Sequence, residues 1–129
     1  MSDSQKNFYK KLLGGIGEKY AVKYLKKNKY KILEQNYVTH FGEIDIIAEK
    51  DGVVAFVEVN TRKNSKYGRP SEFVTLAKQQ RIISAAEYYV YNNGITEKLR
   101  FDVIEVLVKE EDSSPKYYVN HIKDAFEVL

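Results

Sequence analysis

The sequence predicts a mixed α/β fold in which a sheet of about five strands is flanked by α-helices. Two long segments repeat apolar residues at three-to-four spacing, which is the helical period. Five shorter segments carry the apolar patterns of strands, and Asp51-Gly52 is a dipeptide favoured in tight hairpin turns. The order helix, three strands, helix, two strands therefore indicates one mixed sheet with helices packed on it.

The predicted elements cover most of the chain. Helices are predicted at residues 6–28 and 75–93, and strands at residues 30–39, 43–49, 53–61, 99–109 and 116–122. Gly14, Gly15 and Gly17 interrupt the first helical segment, so we expect a kink or a later start there. Gly14 and Gly15 also leave room for a close backbone approach. Thr75 or Ser71 is a candidate N-cap of the second helix.

Length and composition indicate one domain spanning residues 1–129. A chain of this length can bury a core without disulfides or structural metals. Cysteine is absent, which excludes disulfide frameworks and thiolate zinc sites. The sequence has no secretory signal pattern and no apolar run of membrane length, so we expect a cytoplasmic protein.

Charge is unevenly distributed along the chain, although the net charge is only +3. Residues 1–31 contain nine lysines and two acids, and residues 62–81 contain six basic residues and one acid. From residue 97 onward, eight acids outnumber five bases. This asymmetry predicts a basic face suited to a polyanion such as nucleic acid, with a lysine-rich solvated helix as the alternative.

The hairpin turn decides which residues share a face of the sheet. If Asp51 and Gly52 form a two-residue turn, Lys50 lies opposite Val53 and the rest of the register follows. One face is then wholly apolar and is predicted to be the core face, with the pairs Ile44/Val59, Ile46/Val57 and Ala48/Ala55. The other face has the pairs Glu43/Asn60, Asp45/Glu58 and Ile47/Phe56.

Two carboxylates are predicted to face each other in this hairpin. Asp45 lies opposite Glu58, with Asn60 next on the same side. Facing Cβ atoms are about 5 Å apart, and like charges at that distance are destabilising. A hard divalent cation such as Mg²⁺ or Mn²⁺ would compensate them, because such ions prefer carboxylate oxygens. The alternative is a solvent-facing strand surface where the acids only add solubility.

Two charged residues lie on the apolar sides of the predicted helices. Glu18 is either a rim residue with a snorkelling stem or points towards the acid pair. Lys78 either snorkels to the surface or reaches a carboxylate or a phosphate. His40 and His121 lack metal-ligand spacing, so we interpret them as a polar loop residue and a polar strand residue.

A set of motifs that spans nearly the whole chain resembles the PD-(D/E)XK nuclease superfamily. The set includes Gly17-Glu18, Gly42-Glu43-Ile44-Asp45, Phe56-Val57-Glu58-Val59, Thr61-Arg62, Lys78 and Arg100-Phe101-Asp102. More closely, the chain resembles the YraN-like family of bacterial predicted endonucleases, which is itself similar to archaeal Holliday-junction resolvases. The set is specific as a whole, whereas each motif alone is weak.

The resemblance implies a restriction-endonuclease-like core and a metal-dependent endonuclease that acts on DNA, with branched or single-strand-containing DNA as candidate substrates. Asp45, Glu58 and the carbonyl of Val59 would hold Mg²⁺ or Mn²⁺, and Glu18 would be an outer or second ligand. The metal would lower the pKa of a bound water and stabilise charge on the scissile phosphate. Phosphate contacts are expected from Lys19, Lys23, Arg62, Lys63, Lys66 and Arg69. The similarity to resolvases suggests a homodimer.

The chain departs from the superfamily pattern at Asn60, where that pattern has a lysine. Asparagine carries no charge and cannot act as a base near neutral pH, although it can orient a water molecule. Three accounts stay open: Lys78 supplies the missing charge, the fold binds DNA without cutting it well, or metal ions alone support the chemistry. The second account describes a non-catalytic DNA-binding or assembly module. A purely structural protein with solvated acids is the remaining alternative.

Overall fold

The computed structural model describes residues 2–63 and 74–128. The elements of this part follow the predicted order of helix, three strands, helix and two strands. They are α1 (Asp3–Lys27), β1 (Lys31–Val38), β2 (Glu43–Lys50), β3 (Val53–Arg62), α2 (Leu76–Asn93), β4 (Lys98–Glu111) and β5 (Ser114–Phe126).

The five strands form one mixed sheet whose strand order follows the chain, β1-β2-β3-β4-β5. Neighbouring strands are antiparallel except β3 and β4, which are parallel. A parallel pair needs a long crossover connection, and α2 lies in the connection between these two strands. The described residues therefore form the mixed α/β architecture that the sequence predicts.

The β2–β3 hairpin has the predicted turn and register. Asp51 and Gly52 have φ values of 50° and 76°, and positive φ at both positions is the requirement of a type I′ turn. Paired positions run from the turn to Ile46 opposite Val57. Pairing with β3 ends there, while residues 43–44 of β2 pair with β1. The acid pair predicted opposite each other thus lies just beyond the ladder.

Both faces of the sheet are buried, and each is covered by a different helix. The cluster under α2 includes Ile44, Ile47, Phe56, Ile82 and Ala85. The cluster under α1 includes Ala21, Leu25, Ile46, Ala55 and Val57. The prediction of a single core face is therefore wrong. Ile44 also packs with Ile47 rather than with Ile46, because the strict alternation of the β2–β3 ladder does not extend to it.

Helix α1 starts earlier than predicted and runs unbroken through its glycines. The Ser2 hydroxyl accepts a hydrogen bond from the Gln5 backbone N–H, and the Gln5 side chain accepts one from the Ser2 backbone N–H. This capping box stabilises a start at Asp3. The expected kink or later start is wrong, because the cap at one end and the buried Ala21 and Leu25 further along support one continuous helix.

The close approach of α1 to the sheet occurs at Gly17, not at Gly14 and Gly15 as expected. A Cβ atom on Gly17 would lie 1.7 Å from Thr61 Oγ1, whereas nothing lies within 4 Å of a Cβ on Gly14 or Gly15. Glycine at this position lets α1 lie directly on β3. The next residue, Glu18, is thereby held close to the sheet.

The β4–β5 hairpin is longer than predicted. β4 extends to Glu111 and β5 starts at Ser114, so most of the predicted loop continues the ladder. Asp112 and Ser113 have φ values of 50° and 65° and form the turn. β5 also continues to Phe126, beyond the predicted end of this strand at residue 122. The exposed, polar character of this extension removes the apolar alternation by which strands are predicted.

Helix α2 starts at one of its predicted caps and ends at a left-handed glycine. Thr75 Oγ1 accepts a hydrogen bond from the Lys78 backbone N–H at 3.2 Å, and Gly94 has φ 59° and ψ 39°. Its buried side faces β2 and β3 and includes Ile82 and Tyr89. In the parts of the chain that the structure describes, neither helix has the length and apolar character needed to cross a membrane.

Candidate functional site

The candidate site lies where β2 and β3 stop pairing. Asp45 Oδ2 accepts a hydrogen bond from the Val59 backbone N–H at 2.8 Å. A side chain of β2 thus satisfies a backbone donor of β3 at the point where the ladder has ended. This bond fixes the Asp45 carboxyl group against β3, beside Glu58.

Glu58 is buried and paired with a lysine of α2. Glu58 is 6% exposed, and Lys78 Nζ lies 2.5 Å from Glu58 Oε1. A carboxylate removed from water is destabilising unless an opposite charge compensates it, so the ammonium group stabilises ionised Glu58. The Lys78 side chain is itself 42% exposed, which leaves its ammonium group accessible from solvent. Of the two sequence interpretations of Lys78, the one in which it reaches a carboxylate is observed.

Glu18 approaches the same acids from α1. Burial, followed by the negative charges of Asp45 and Glu43, raises the pKa of Glu18 to about 7, and a hydrogen bond with the Asn36 side chain opposes the shift. Asn36 has a φ of 50°, a left-handed conformation that asparagine tolerates better than most residues. The Glu18 side chain therefore points towards the acid pair, which is one of the alternatives left open by the sequence.

Asp45 lies between the other two carboxyl groups. Burial and then the charge of Glu58 raise the pKa of Asp45, while the hydrogen bond from Val59 and the charge of Lys78 oppose the shift. A cleft of about 210 Å³ opens beside it, lined by Glu43, Asp45, Glu58, Lys78, Arg81 and Ile82. The raised pKa of Asp45 in this cleft marks a negative charge that its surroundings compensate incompletely.

The chemistry of this donor set fits a hard divalent cation held by few protein ligands. Mg²⁺ is commonly bound through one or two carboxylates and keeps several waters, and Asp45 and Glu58 provide such a pair. Within residues 2–63 and 74–128, no group of three or more histidine, aspartate or glutamate side chains is arranged to hold a metal ion. Because Lys78 contacts Glu58, a bound cation would share that carboxylate with the ammonium group or displace it.

Val59 and Asn60 follow Glu58 along β3. Both are partly buried, and Asn60 lies on the same strand face as Glu58 because side chains alternate along a strand. A lysine at position 60 would therefore lie beside the acids. In this chain the ammonium group recorded in contact with Glu58 comes from Lys78, on a different element.

The residues predicted to contact phosphates are placed differently from one another. Lys19 and Lys23 are exposed on α1, roughly 100° and 140° around the helix axis from Glu18. Lys63 is exposed after β3, and its ammonium group lies 4.5 Å from the centre of the Tyr9 ring. The exposed lysines of this set therefore come from α1 and from the end of β3.

Arg62 is the predicted phosphate contact with a structural partner. Its guanidinium group forms an ion pair with Glu105 of β4, and both side chains are largely buried. Part of its hydrogen-bonding capacity is therefore used inside the fold. Lys66 and Arg69 lie outside the described residues.

A second polar cluster, which sequence reasoning missed, surrounds Asp102. Asp102 is fully buried, and both of its oxygens accept hydrogen bonds from Arg100, at 2.8 Å each. His121 Nε2 lies 2.7 Å from Asp102 Oδ2, and the Asp124 backbone N–H donates to Oδ1 at 3.0 Å. Although burial would raise it, the bonds from His121 and Arg100 hold the pKa of Asp102 below its usual value.

This cluster connects the end of α1 to the last two strands. Tyr24 Oη lies 3.1 Å from His121 Nδ1, and Arg100 Nη2 donates to Tyr30 Oη at 2.8 Å. A carboxylate can only accept, so neutral His121 would donate through Nε2 to Asp102 and accept from Tyr24 through Nδ1. The spacing of two between Arg100 and Asp102, which places them on one strand face, is the signal that could have revealed the cluster. His121 is a strand residue as interpreted, but a buried, bonded one.

Comparison with known proteins identifies relatives over nearly the full chain. Residues 17–106 match a protein family described as "Uncharacterised protein family UPF0102". A UPF0102 protein of Clostridium perfringens is 47% identical over 121 residues, covering 93% of this chain and 98% of the relative. A UPF0102 protein of Alkaliphilus oremlandii is 47% identical over 119 residues, covering 90% and 98%.

A third relative, from Caldanaerobacter subterraneus subsp. tengcongensis, is 43% identical over 122 residues, which cover 94% of this chain and 99% of that protein. The family match begins at Gly17 and contains Glu18, Asp45, Glu58 and Lys78. With this extent of match and this identity, the chain belongs to the UPF0102 protein family.

Proposed function

We propose that this protein is a metal-dependent nucleic-acid-binding protein with a restriction-endonuclease-like core, which hydrolyses phosphodiester bonds in DNA, including branched DNA. The observation that carries the proposal is the clustering of three acids from three elements: Asp45 interacts with both Glu18 and Glu58, and Lys78 contacts Glu58. The resemblance of the sequence motifs to the PD-(D/E)XK superfamily supports the same assignment.

In this proposal Asp45, Glu58 and the carbonyl of Val59 hold Mg²⁺ or Mn²⁺. When bound, the metal supplies a water of lowered pKa and an electrostatic partner for the scissile phosphate. Glu18 has a pKa of about 7, so its carboxyl group can take up or release a proton near neutral pH. Raised pKa values also mean that the folded acids would gain from an added positive charge.

Lys78 takes the role that the superfamily assigns to the lysine two residues after the glutamate. Its ammonium group contacts Glu58 and is accessible from solvent, so it can interact with the negative charge of a phosphate. Asn60 orients the attacking water through its amide group rather than removing a proton from it. The positive charge at the site thus comes from α2.

A second candidate function is a non-catalytic DNA-binding or assembly module on the same fold. The ion pair between Lys78 and Glu58 favours it, because this pair neutralises one carboxylate without a metal. So does the replacement of the motif lysine by Asn60, since loss of a general base typically lowers a rate by about 10²–10⁴. The two candidates share nucleic-acid binding and differ in cleavage.

Cleavage in Mn²⁺ tests the proposal directly. Labelled linear, flapped and four-way-branched DNA would be incubated with the wild type, Asp45→Ala and Glu43→Gln. We expect cleavage by the wild type, its loss in Asp45→Ala and its retention in Glu43→Gln, which alters a cleft residue that is not a proposed ligand.

Asn60→Lys separates the two candidate functions further. In an otherwise intact site the added lysine restores the motif, so we expect a higher cleavage rate. DNA binding without cleavage in the wild type and in Asn60→Lys, at every Mn²⁺ concentration, would support the non-catalytic module. Cleavage that persists in Asp45→Ala would refute the proposed site.

A further inference from the structure

A groove outside the acid cleft lies between α1 and β5. Its volume is about 650 Å³. The basic side chains that line it are Lys19, Lys23 and Lys26, and the apolar surface includes Val22 and the rings of Tyr20 and Tyr117. Among its described lining residues there is no acid.

The lysines of the groove follow one stripe of α1. Lys19, Lys23 and Lys26 are spaced by four and three residues, so at 1.5 Å per residue their Cα atoms are about 6 Å and 4.5 Å apart along the axis. All three are exposed, which keeps their ammonium groups available to a ligand. A row of positive charges without intervening acids complements a ligand with repeated negative charges, such as a phosphate backbone.

The aromatic surface adds a requirement that charge alone does not impose. The rings of Tyr20 and Tyr117 are stacked, with centroids 4.1 Å apart and planes inclined by 16°. Both side chains are only partly buried, so the pair presents aromatic surface to the groove. Bases stack on such rings when their own faces are free, which is the case in a single strand and not in a duplex.

Helix α1 links the groove to the acid cleft, because Glu18 of this helix interacts with Asp45, which lines the cleft. Lys19 follows Glu18 directly, and the two side chains leave the helix on different sides. A nucleic-acid strand that leaves the acid cleft around α1 would therefore meet the lysine stripe within one helical turn.

We propose that this groove binds a single-stranded segment of nucleic acid, with phosphates on Lys19, Lys23 and Lys26 and bases on the Tyr20–Tyr117 pair. The proposal rests on the proposed nucleic-acid function and specifies which strand of a branched or flapped substrate the protein holds outside the cleft. An anionic lipid surface also attracts lysines, but it does not require a stacked aromatic pair.

The test compares two labelled probes of equal charge by fluorescence anisotropy: an oligodeoxythymidine and an abasic phosphodiester oligomer of the same length. Tyr117→Ala should weaken binding of the thymidine oligomer about 10-fold and leave the abasic oligomer nearly unchanged, because only bases stack. Lys19→Ala/Lys23→Ala should weaken both probes. Lys98→Ala, at the hairpin-turn end of the sheet, is the matched control and should bind both as the wild type does.

Tyr117→Leu keeps apolar bulk in the groove while removing the ring, so it serves where Tyr117→Ala unfolds. If the folded tyrosine and lysine variants bind the thymidine oligomer with wild-type affinity and also retain duplex binding, the proposed role of the groove is refuted. The proposed nucleic-acid function is then unaffected. Absence of binding by the wild type to any DNA would overturn both. If these variants lose binding to phosphatidylserine vesicles but bind the oligomers as the wild type does, the groove binds a lipid surface instead.

The groove and the acid cleft are separable in the same assay. Asp45→Ala should abolish cleavage while it leaves the affinity for the thymidine oligomer within about twofold of the wild type. If Asp45→Ala also loses affinity for the thymidine oligomer, the single strand binds at the acids, and the proposed role of the groove is refuted.

Discussion

The contact between Lys78 and Glu58 supplies the buried carboxylate with a positive charge that a divalent cation could also provide. Glu58 is almost completely buried, and its compensation comes from an ammonium group that stays partly in solvent. If the proposed metal ion binds at Glu58, it would compete with the ammonium group of Lys78 for the same carboxylate oxygen atoms. Stability measurements with and without metal can reveal this competition independently of any cleavage.

Lys78→Ala should destabilise the protein and make it more responsive to metal. Removing the ammonium group leaves Glu58 buried without its cation, at a cost of about 1–3 kcal/mol, less than for a fully buried pair because Lys78 is partly exposed. Thermal melting with and without Mn²⁺ measures both effects, and Mn²⁺ should raise the Tm of the variant more than that of the wild type. Arg81→Ala, at the same cleft, is the control. Equal Mn²⁺ shifts in both variants would contradict the competition.

The carboxyl groups of Glu18 and Asp45 make stability depend on pH in an unusual direction. Both pKa values are raised in the folded state, that of Glu18 to about 7. Between about pH 4.5 and 7 the folded protein holds protons that the unfolded chain has released, so the free energy of unfolding falls as pH rises. The lowered pKa of Asp102 acts in a separate window, because its contribution is lost only as pH falls below about 4.

Glu18→Gln should flatten this dependence. The amide keeps the size of the side chain and cannot ionise, so the stability of the variant should decline less between pH 4.5 and 8. Urea midpoints across that range measure the slope, and Glu87→Gln on the exposed side of α2 controls for a general change in charge. Identical slopes in Glu18→Gln and the wild type would exclude Glu18 as the source.

At the scale of elements, each helix meets the sheet at a glycine that adjoins an acid. Gly17 precedes Glu18 and contacts Thr61, and a Cβ on Gly42, which precedes Glu43, would lie 3.1 Å from the Arg81 backbone oxygen. The glycines thus set how closely α1 and α2 approach the strands that carry the site. Substitutions at these contacts should move a helix rather than a single side chain.

Gly17→Ala and Gly15→Ala form a matched pair that tests this packing. The new methyl group at position 17 would overlap Thr61, so we expect a loss of about 1–3 kcal/mol and a smaller stabilisation by Mn²⁺. At position 15 nothing lies nearby, so alanine should stabilise the helix by about 0.5–1 kcal/mol. Chemical denaturation measures both. If Thr61→Gly does not restore Gly17→Ala, the contact is not the cause.

The sequence predicted element order well and element surroundings poorly. Apolar patterns identified the helices and strands that the structure describes, and Asp51-Gly52 predicted the register as far as Ile46 opposite Val57. The burial of the second sheet face is not predicted, because the acids at one end of that face make it resemble a solvent-exposed side. The hydrogen-bonded contacts from Asp102 through His121 to Tyr24 are not predicted either, because these residues come from distant parts of the sequence. Periodicity carries no information on such long-range pairs.

The sequence identifies Asp45 and Glu58 from a local hairpin pattern, but the position of Glu18 beside them depends on a contact between distant parts of the chain. Asp45 and Glu58 follow from one hairpin register, whereas the approach of Glu18 depends on Gly17 packing against Thr61. The helical pattern correctly places Glu18 and Lys78 on the apolar sides of their helices. For each side chain, however, it leaves two orientations open: towards the solvent or towards the site. Only the packed structure selects between those directions.

At the scale of the whole molecule, the uneven charge predicts binding that depends strongly on salt. In the proposed complex with DNA, lysines of the first part of the chain would contact several phosphates, and each contact would add about −0.7 to −0.9 to the slope of log affinity against log salt. We expect affinity for DNA to fall at least about 10-fold between 50 and 300 mM NaCl. Lys23→Ala should lower the slope by about 1, and Lys98→Ala should not. A salt-independent affinity would refute a phosphate-contacting face.

The parallel pairing of β3 with β4 has a consequence for the order in which the parts of the protein are synthesised. Glu18, Asp45 and Glu58 all precede β4 in the chain, whereas Asp102 lies in β4 and His121, which contacts Tyr24 of α1, lies in β5. A chain emerging from the ribosome therefore exposes its acids before the strands that seat α1 have appeared. Helix α1 can form the contact between Tyr24 and His121 only once β5 has joined the sheet, so a nascent chain contains all three acids before this contact of α1 exists.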